Sequence, residues 1–411
     1  MKISTFPEDW AARKQESSWF DRFARSALFR VLRTIKNGHL TIDEDGEYYE
    51  FGDRNSSLRA SIVVSNPSFY RMVLLHGSIG AGEAYMSSCW NSPDLTRVIQ
   101  LICRNMEQLT RIDSGWSSFM QSIDKVKHIC TPNSRSGSRK NISAHYDLSN
   151  ELFKIFLDPS MMYSSAVYKT GATTLADAQK AKMQALAGKL DVSSSDHVVE
   201  IGSGWGAMAV FLAETYGCRV TTTTISREQH QYTIQLVESK NLQHLVTVLD
   251  KDYRELSGTF DRLISIEMIE AVGEKFMSGF FRKCDSLVKS GGKMVIQSIT
   301  IPEQRYHYAS RNVDFIQKYI FPGGFLPSVQ SMLENTGNET RLQLEEISNI
   351  GIDYAETLAH WRKTFLESRE DVKALGFDNL FIRLWEFYFC YCEGGFRERS
   401  IDTVQAVFRR V

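Results

Sequence analysis

Residues 198–206 read Val198-Val199-Glu200-Ile201-Gly202-Ser203-Gly204-Trp205-Gly206, a β-branched run that ends in glycine at every second position. Such a pattern predicts a strand turning sharply into a helix, with the missing Cβ atoms letting backbone approach a nucleotide-like ligand. A dinucleotide-binding turn expects its third glycine further along, and an acid at the end of the second strand to hold a ribose. Here the second strand ends in Thr223-Thr224-Ile225-Ser226. The glycine turn therefore marks a ligand site of a different kind.

Around that turn, short β-branched runs alternate with helical patterns. Strands are expected at 197–202, 218–225, 245–250, 260–266 and 292–300, and the alternation predicts a mostly parallel sheet wound with helices on both faces. Ser226 followed by Gln229 predicts a capping box at the start of the second helix. Lys289-Ser290-Gly291-Gly292 offers a glycine C-cap to the helix before the 292–300 strand. The aromatic-rich stretch 301–338 interrupts the alternation and reads as a lid inserted over a pocket. Residues 354–396 read as two helices whose aromatics, among them Trp361, Phe365 and Trp385, fill a core, and 402–409 as a last strand. Upstream, helical and mixed patterns fill a smaller N-terminal domain, 1–124. The basic, breaker-rich KHICTPNSRSGSRKN supplies a linker, 125–141, before a ligand-binding domain at 142–411.

Composition narrows the function classes. The 411 residues are 43% hydrophobic and 24% charged, ordinary for a globular protein, and a net charge of −1 gives no global pull toward nucleic acid. The seven cysteines (89, 103, 130, 218, 284, 390, 392) lack paired metal spacing, so neither a zinc site nor a disulfide framework is expected. No apolar run reaches the roughly 20 residues that cross a bilayer, and the first residues do not read as a signal peptide. The expectation is a cytoplasmic protein.

Several strings in order resemble one family: HYDLSNELFKIFLDPSMMYSSA at 145–166, VEIGSGWG at 199–206, TTISREQ at 223–229, DYREL at 252–256, FDRLISIEMIEAVG at 260–273, KYIFPGGFLPS at 318–328, GIDYAETLAHWRKTF at 351–365 and YCEGGF at 391–396. They are similar to the cyclopropane-fatty-acyl-phospholipid synthases and mycolic acid cyclopropane synthases, especially the plant-like branch. The spacing E-x-G-x-G-x-G, with Glu200 inside it, resembles the first motif of S-adenosylmethionine methyltransferases. The resemblance implies a class I Rossmann-like methyltransferase fold with a seven-stranded sheet, S-adenosylmethionine as methyl donor, and a cis alkene in a phospholipid acyl chain as acceptor. It further implies that Tyr146, Tyr163 and Ser164 hold the methionine end of the cofactor with Gly202 and Gly204. Gln229 would lie at the ribose, and Asp252 and Tyr253 near the adenine. Homodimers are common in the family.

The chemistry demands more. An alkene attacking a sulfonium methyl builds positive charge on carbon, which calls for an anion and a dry site, and ring closure needs a base within reach of the added methyl. In the family a bound bicarbonate is that base. By resemblance its site glutamate falls on Glu270, its tyrosine on Tyr354, its cysteine on Ser165 and its histidine on Gln297. Ser165 can still donate through its backbone, whereas Gln297 cannot carry a proton at neutral pH. Glu267, in the same string, reads as a helix-start cap, and Cys392 as packing. A lipid C-methyltransferase making a methyl or methylene branch is the enzyme alternative. A catalytically silent lipid-binding homologue and a small-molecule methyltransferase are the others.

Acyl chains must leave a bilayer to reach such a site. In SWFDRFARSALFRVLRTIKNG, Arg22, Arg25, Arg30, Arg33 and Lys36 fall on one helical arc and Phe20, Phe23, Ala24, Ala27, Leu28, Val31, Leu32 and Ile35 opposite. This helix either docks peripherally on the inner face of a membrane or packs its apolar side into its own domain. Arg135, Arg139 and Lys140 could add attraction to anionic lipid.

Overall fold

The structure, a computed structural model, describes residues 17–110, 148–169 and 171–411. The expected linker, its three basic residues and Tyr146 lie outside the described residues. In chain order the first elements are α1 (Trp19–Leu32), β1 (His39–Glu44), β2 (Glu47–Gly52), β3 (Arg59–Val64), α2 (Ser68–Met86), β4 (Trp90–Asn91), α3 (Leu95–Arg104) and α4 (Met106–Thr110). Next come α5 (Asn150–Phe156), α6 (Leu175–Leu190), β5 (His197–Ile201), α7 (Ala207–Tyr216), β6 (Arg219–Thr224), α8 (Arg227–Ser239), β7 (Val246–Asp250), β8 (Phe260–Ile266), α9 (Met277–Leu287), β9 (Val288–Thr300) and α10 (Glu303–Ala309). The last are α11 (Phe315–Tyr319), α12 (Val329–Glu339), β10 (Leu342–Asn349), α13 (Gly351–Glu367), α14 (Arg369–Ala374), α15 (Asn379–Arg397) and β11 (Asp402–Arg410).

Seven strands form one sheet in the order β10-β11-β9-β8-β5-β6-β7, parallel from β7 through β9, with β11 antiparallel to both β9 and β10. Its central strands carry apolar residues on both faces, as a sheet covered by helices on both sides requires. Neighbours diverge: Leu263 joins the core under α9 with Val199 and Ile296, while Ile264 joins the core against α6 and α7 with Val198 and Val295. Burying each such side chain contributes about 1.5–3 kcal/mol, so a one-residue slip of β8 would forfeit several at once. After β7 the chain returns to the far side of β5, so the strand order reverses between β5 and β8. Ligands of open α/β sheets bind outside the strand ends at such a point.

Two local expectations change. The helix before β9 ends at Leu287, and Gly291 and Gly292 lie inside the strand. Phe260 pairs with Val288 but Arg262 with Lys293, an irregularity that loops extra residues out of β9. A Cβ on Gly292 would sit 2.7 Å from the Asp261 carbonyl oxygen, so close backbone approach, not a helix cap, is what glycine serves there. At the start of α8 the Ser226 hydroxyl accepts from the Gln229 N–H, yet the Gln229 side chain turns to Thr224, so the cap forms without its reciprocal half.

Packing divides the chain into two units: 1–130 with 311–320 and 361–400, and 131–310 with 321–360 and 401–411. The expected boundary near 124 thus separates the domains incompletely. The four-stranded sheet, ordered β2-β1-β3-β4, shares its unit with α15, whose Gly394 lies so close to α3 that a Cβ there would come within 2.8 Å of Ile99. The 301–338 stretch holds α10, α11 and α12, and its residues 311–320 belong to the first unit.

Helix α1 buries Ala24, Phe29 and Leu32. Arg25 leaves the expected basic arc: it pairs with Glu44 at 2.6 Å and lies 4.3 Å from the Phe29 ring centroid. Arg22, Arg30 and Arg33 are exposed, and with them Trp19 (73%) and, against the expected sorting, Phe23 (58%). Among the described residues no helix is long and apolar enough to cross a membrane.

Candidate active site

The site lies at the carboxyl ends of β5, β6, β8 and β9, within the second unit. Gly202, Gly204 and Gly206 adopt φ of 94°, 50° and 92°, left-handed values that a side chain would strain. The N–H groups of Gly202 and Ser203 donate to the Thr223 carbonyl, fixing the loop to β6. Trp205 donates to Asn150 at 2.8 Å, and Phe153 packs on both Trp205 and Tyr163, which brings the 162–165 segment beside the glycine loop. This glycine cradle at the reversal of strand order fits a nucleoside-bearing ligand such as S-adenosylmethionine.

The other expected cofactor residues take varied positions. Ser164 is buried and its hydroxyl accepts from the Lys182 ammonium at 2.6 Å. Glu200 is buried beneath the loop, accepting from the Thr222 hydroxyl at 2.6 Å, and burial pushes its carboxyl up to about 8. Gln229 accepts from Thr224 at 3.0 Å. Asp252 accepts from Arg254 through both oxygens at 2.8 and 2.6 Å, and Tyr253 packs edge-on against Phe280.

Three of the four residues expected at the reaction centre do meet, but on Glu267 and not on Glu270. Glu267 Oε1 accepts from the Ser165 backbone N–H at 2.9 Å and from Gln297 Nε2 at 2.8 Å, while Oε2 accepts from the Tyr354 hydroxyl at 2.8 Å. Gln297 is itself oriented by Gln405 on β11, which donates to its Oε1 at 3.0 Å. Glu270, on the next turn, is folded back onto β9: its Oε1 accepts from the Ile299 N–H at 2.5 Å and the Ser298 hydroxyl at 3.1 Å, and its Oε2 is buried with no hydrogen-bond partner among the described residues. The difference arises where β8 ends. Glu267 is the first residue past the strand, its N–H donates to the Gln297 carbonyl, and its φ of 48° is left-handed. That conformation costs about 1–2 kcal/mol outside glycine. Three hydrogen bonds to a charged carboxylate, at about 1.5–3 kcal/mol each, outweigh it.

Charge sorts the two glutamates. Burial raises both, but Gln297, Ser165, Lys182 and Tyr354 pull Glu267 back, whereas Glu270 is pushed up to about 8 by burial and then by the Glu267 charge. Glu267, though still above its ordinary value, is therefore the more acidic of the two, and Glu270 the one that holds its proton to higher pH. Lys182, buried on α6, is lowered to about 8 by desolvation against the pull of Glu267 and Asp158. Sequence reading passed over Lys182, although a lysine sharing the apolar stripe of Ala178 and Leu186 is a visible signal, and over Gln405.

The donors expected to hold bicarbonate are those that Glu267 occupies, so the seat as built does not fit a second anion.

The sequence profile of mycolic acid cyclopropane synthetases matches residues 133–406. A tuberculostearic acid methyltransferase of Mycobacterium tuberculosis, UfaA1, is 38% identical over 84% of this chain and 82% of its own, and the cyclopropane-fatty-acyl-phospholipid synthase of Escherichia coli is 34% identical over 87% and 89%. The solved mycolic acid cyclopropane synthase CmaA1, complexed with S-adenosylhomocysteine and CTAB, superposes with a TM-score of 0.62 at 29% identity, covering 66% of this chain and 97% of that one. The expected fold is thereby borne out, and with the glycine cradle and the second-unit site in place the chain belongs to the cyclopropane synthase family of S-adenosylmethionine-dependent methyltransferases, which act on lipid double bonds.

Proposed function

We propose that the protein methylates the cis double bond of an unsaturated phospholipid acyl chain and resolves the resulting cation by removing a proton from the added methyl, leaving a cyclopropane. The observation that carries this reading is the fixed carboxylate of Glu267 among Ser165, Gln297 and Tyr354. S-adenosylmethionine, when bound, supplies an electrophilic methyl group. Gly202 and Gly204 give it backbone room, and the ionised Glu267 stabilises positive charge developing on the acceptor carbon. A silent lipid-binding role would not explain a strained, hydrogen-bonded carboxylate at this position.

A methylene or methyl branch is the second reading, favoured by the 38% identity to a tuberculostearic acid methyltransferase. Both begin with the same cation. The test is to express the chain in a host with unsaturated phospholipids, feed methyl-labelled donor and analyse the acyl chains by mass spectrometry and proton NMR. The expected product gains one CH2, loses its alkene, keeps two of the three methyl hydrogens and shows ring protons. An exomethylene signal, or a saturated branch keeping all three hydrogens, replaces the cyclopropane reading with the second.

The substrate would be met at a membrane surface. The exposed Trp19 and Phe23 beside Arg22, Arg30 and Arg33 support α1 as the docking element.

A further inference from the structure

Resting on the reading that a proton leaves the added methyl, we propose that Glu267 is a built-in replacement for bicarbonate: its own carboxylate occupies the anion seat and accepts that proton, so the enzyme needs no exogenous anion. The seat is defined by three donors that converge from separate elements, the Ser165 N–H, Gln297 Nε2 and the Tyr354 hydroxyl, all within 2.9 Å of Glu267. These are the groups that would otherwise hold a small oxyanion, and one carboxylate saturates all three.

The arrangement is specific rather than a chance cap. A capping carboxylate accepts from backbone N–H groups of its own turn. Glu267 instead accepts from residues 102, 30 and 87 positions away, and holds a left-handed backbone to do so. Glu270 in turn accepts from Ile299 and Ser298 of β9. Gln297 suits this exchange: with its Oε1 committed to Gln405, its amide presents a donor to the carboxylate and has no proton to lose. The buried ammonium of Lys182, on Ser164, supplies the balancing positive charge.

The proton step balances without a co-reactant. A C–H bond of the added methyl breaks, its electron pair forms the new carbon–carbon bond to the cationic carbon, and the proton passes to Glu267. Among the described residues Oε2 accepts one hydrogen bond against two on Oε1, which makes it the oxygen to take the proton. Glu267 keeps some accessible surface, and the proton returns to water as product departs. Gln297, Tyr354 and Gln405 are positioning residues in this scheme.

Two measurements test it. In the first, the full chain binds [13C]bicarbonate under NMR, without turnover. Wild type should show no saturable binding, while Glu267→Gly, whose positive φ glycine adopts freely, should open the seat and bind it. In the second, turnover on unsaturated phospholipid vesicles is followed in carbonate-depleted buffer. Wild type should be indifferent to added bicarbonate. Glu267→Gln should lose about 100-fold or more, the usual size of a general-base effect, with S-adenosylmethionine affinity kept, and added bicarbonate or formate should restore part of the Glu267→Gly rate. Saturable bicarbonate binding by wild type, a wild-type rate that climbs with bicarbonate, or full activity in Glu267→Gln overturns the proposal. A wild type that methylates no lipid alkene at all instead sinks the functional reading, and the binding measurement still decides who occupies the seat.

Discussion

If both Glu267 and Glu270 ionised they would repel each other, and their surroundings decide which keeps its proton. Glu267 has three donors and the Lys182 charge, while one buried oxygen of Glu270 has no partner among the described residues. Glu270 titrates near 8 in the folded protein against an ordinary 4.5. The folded state thus holds this proton more tightly than the unfolded chain, so the associated stability is complete below about pH 4.5 and is lost as pH rises toward 8. Glu270→Gln keeps a neutral acceptor for Ile299 and Ser298 and cannot ionise. Its stability relative to wild type should therefore grow between pH 5 and 8 by on the order of 3 kcal/mol. Urea denaturation of both proteins at the two pH values measures this, and a pH-independent gap would refute the neutral Glu270. The string IEMIEA carries both carboxylates, but it could not choose between glutamates three residues apart. The choice rests on the backbone of residue 267 and on partners about 30 to 100 positions away, neither of which has a local signature.

At the level of elements, the strands of the large sheet were legible because their runs are short, rich in β-branched residues and bounded by turn residues, which favours strand over helix. The run from 260 to 266 matches β8 residue for residue. Gly291-Gly292 was not legible, since the same pair serves a helix end and a looped-out strand equally well. Helix α1 was half legible. Its amphipathic period was plain, yet Arg25 turned inward to Glu44 and Phe23 outward, because an arginine stem with an ion-pair partner packs as readily as a phenylalanine. The exposed arginines then carry the electrostatic prediction. Reversing Arg22, Arg30 and Arg33 to Glu should weaken binding to anionic vesicles markedly, each basic residue near such a surface contributing about 1 kcal/mol. Activity on detergent-dispersed substrate should persist, because α1 belongs to the unit that does not hold the reaction centre. Co-sedimentation unchanged by the triple substitution would return α1 to a purely packing role.

At the scale of the molecule, the sequence led to the expectation of an N-terminal domain and a methyltransferase domain, with no sign that residues 361–400 share a unit with the first. A composition change marks a linker, whereas a packing partner 300 residues away leaves no mark. The joint is polar as well as apolar. Glu393 on α15 is buried, accepts from Thr96 at 3.1 Å and pairs with Arg362 and Arg397 at 2.9 Å each. Removing it by Glu393→Ala leaves two guanidinium groups without their carboxylate, and should cost about 2–4 kcal/mol without shifting S-adenosylmethionine affinity. Thermal melts with and without the cofactor measure both. A loss below about 0.5 kcal/mol, the scale of an ordinary surface ion pair, would mean the network contributes no more than surface charge.

The contact between Ile99 and Gly394 also sets a timetable for the newborn chain. At roughly 5–20 residues per second, the ribosome adds the intervening stretch in about 15–60 s. During that interval the apolar side of α3 emerges with its native cover still unwritten, and any fragment that stops before α15 keeps it bare. The unit that holds α3 is thus among the last to finish folding, and chaperone attendance on this protein should be sought around α3, not at its reaction centre.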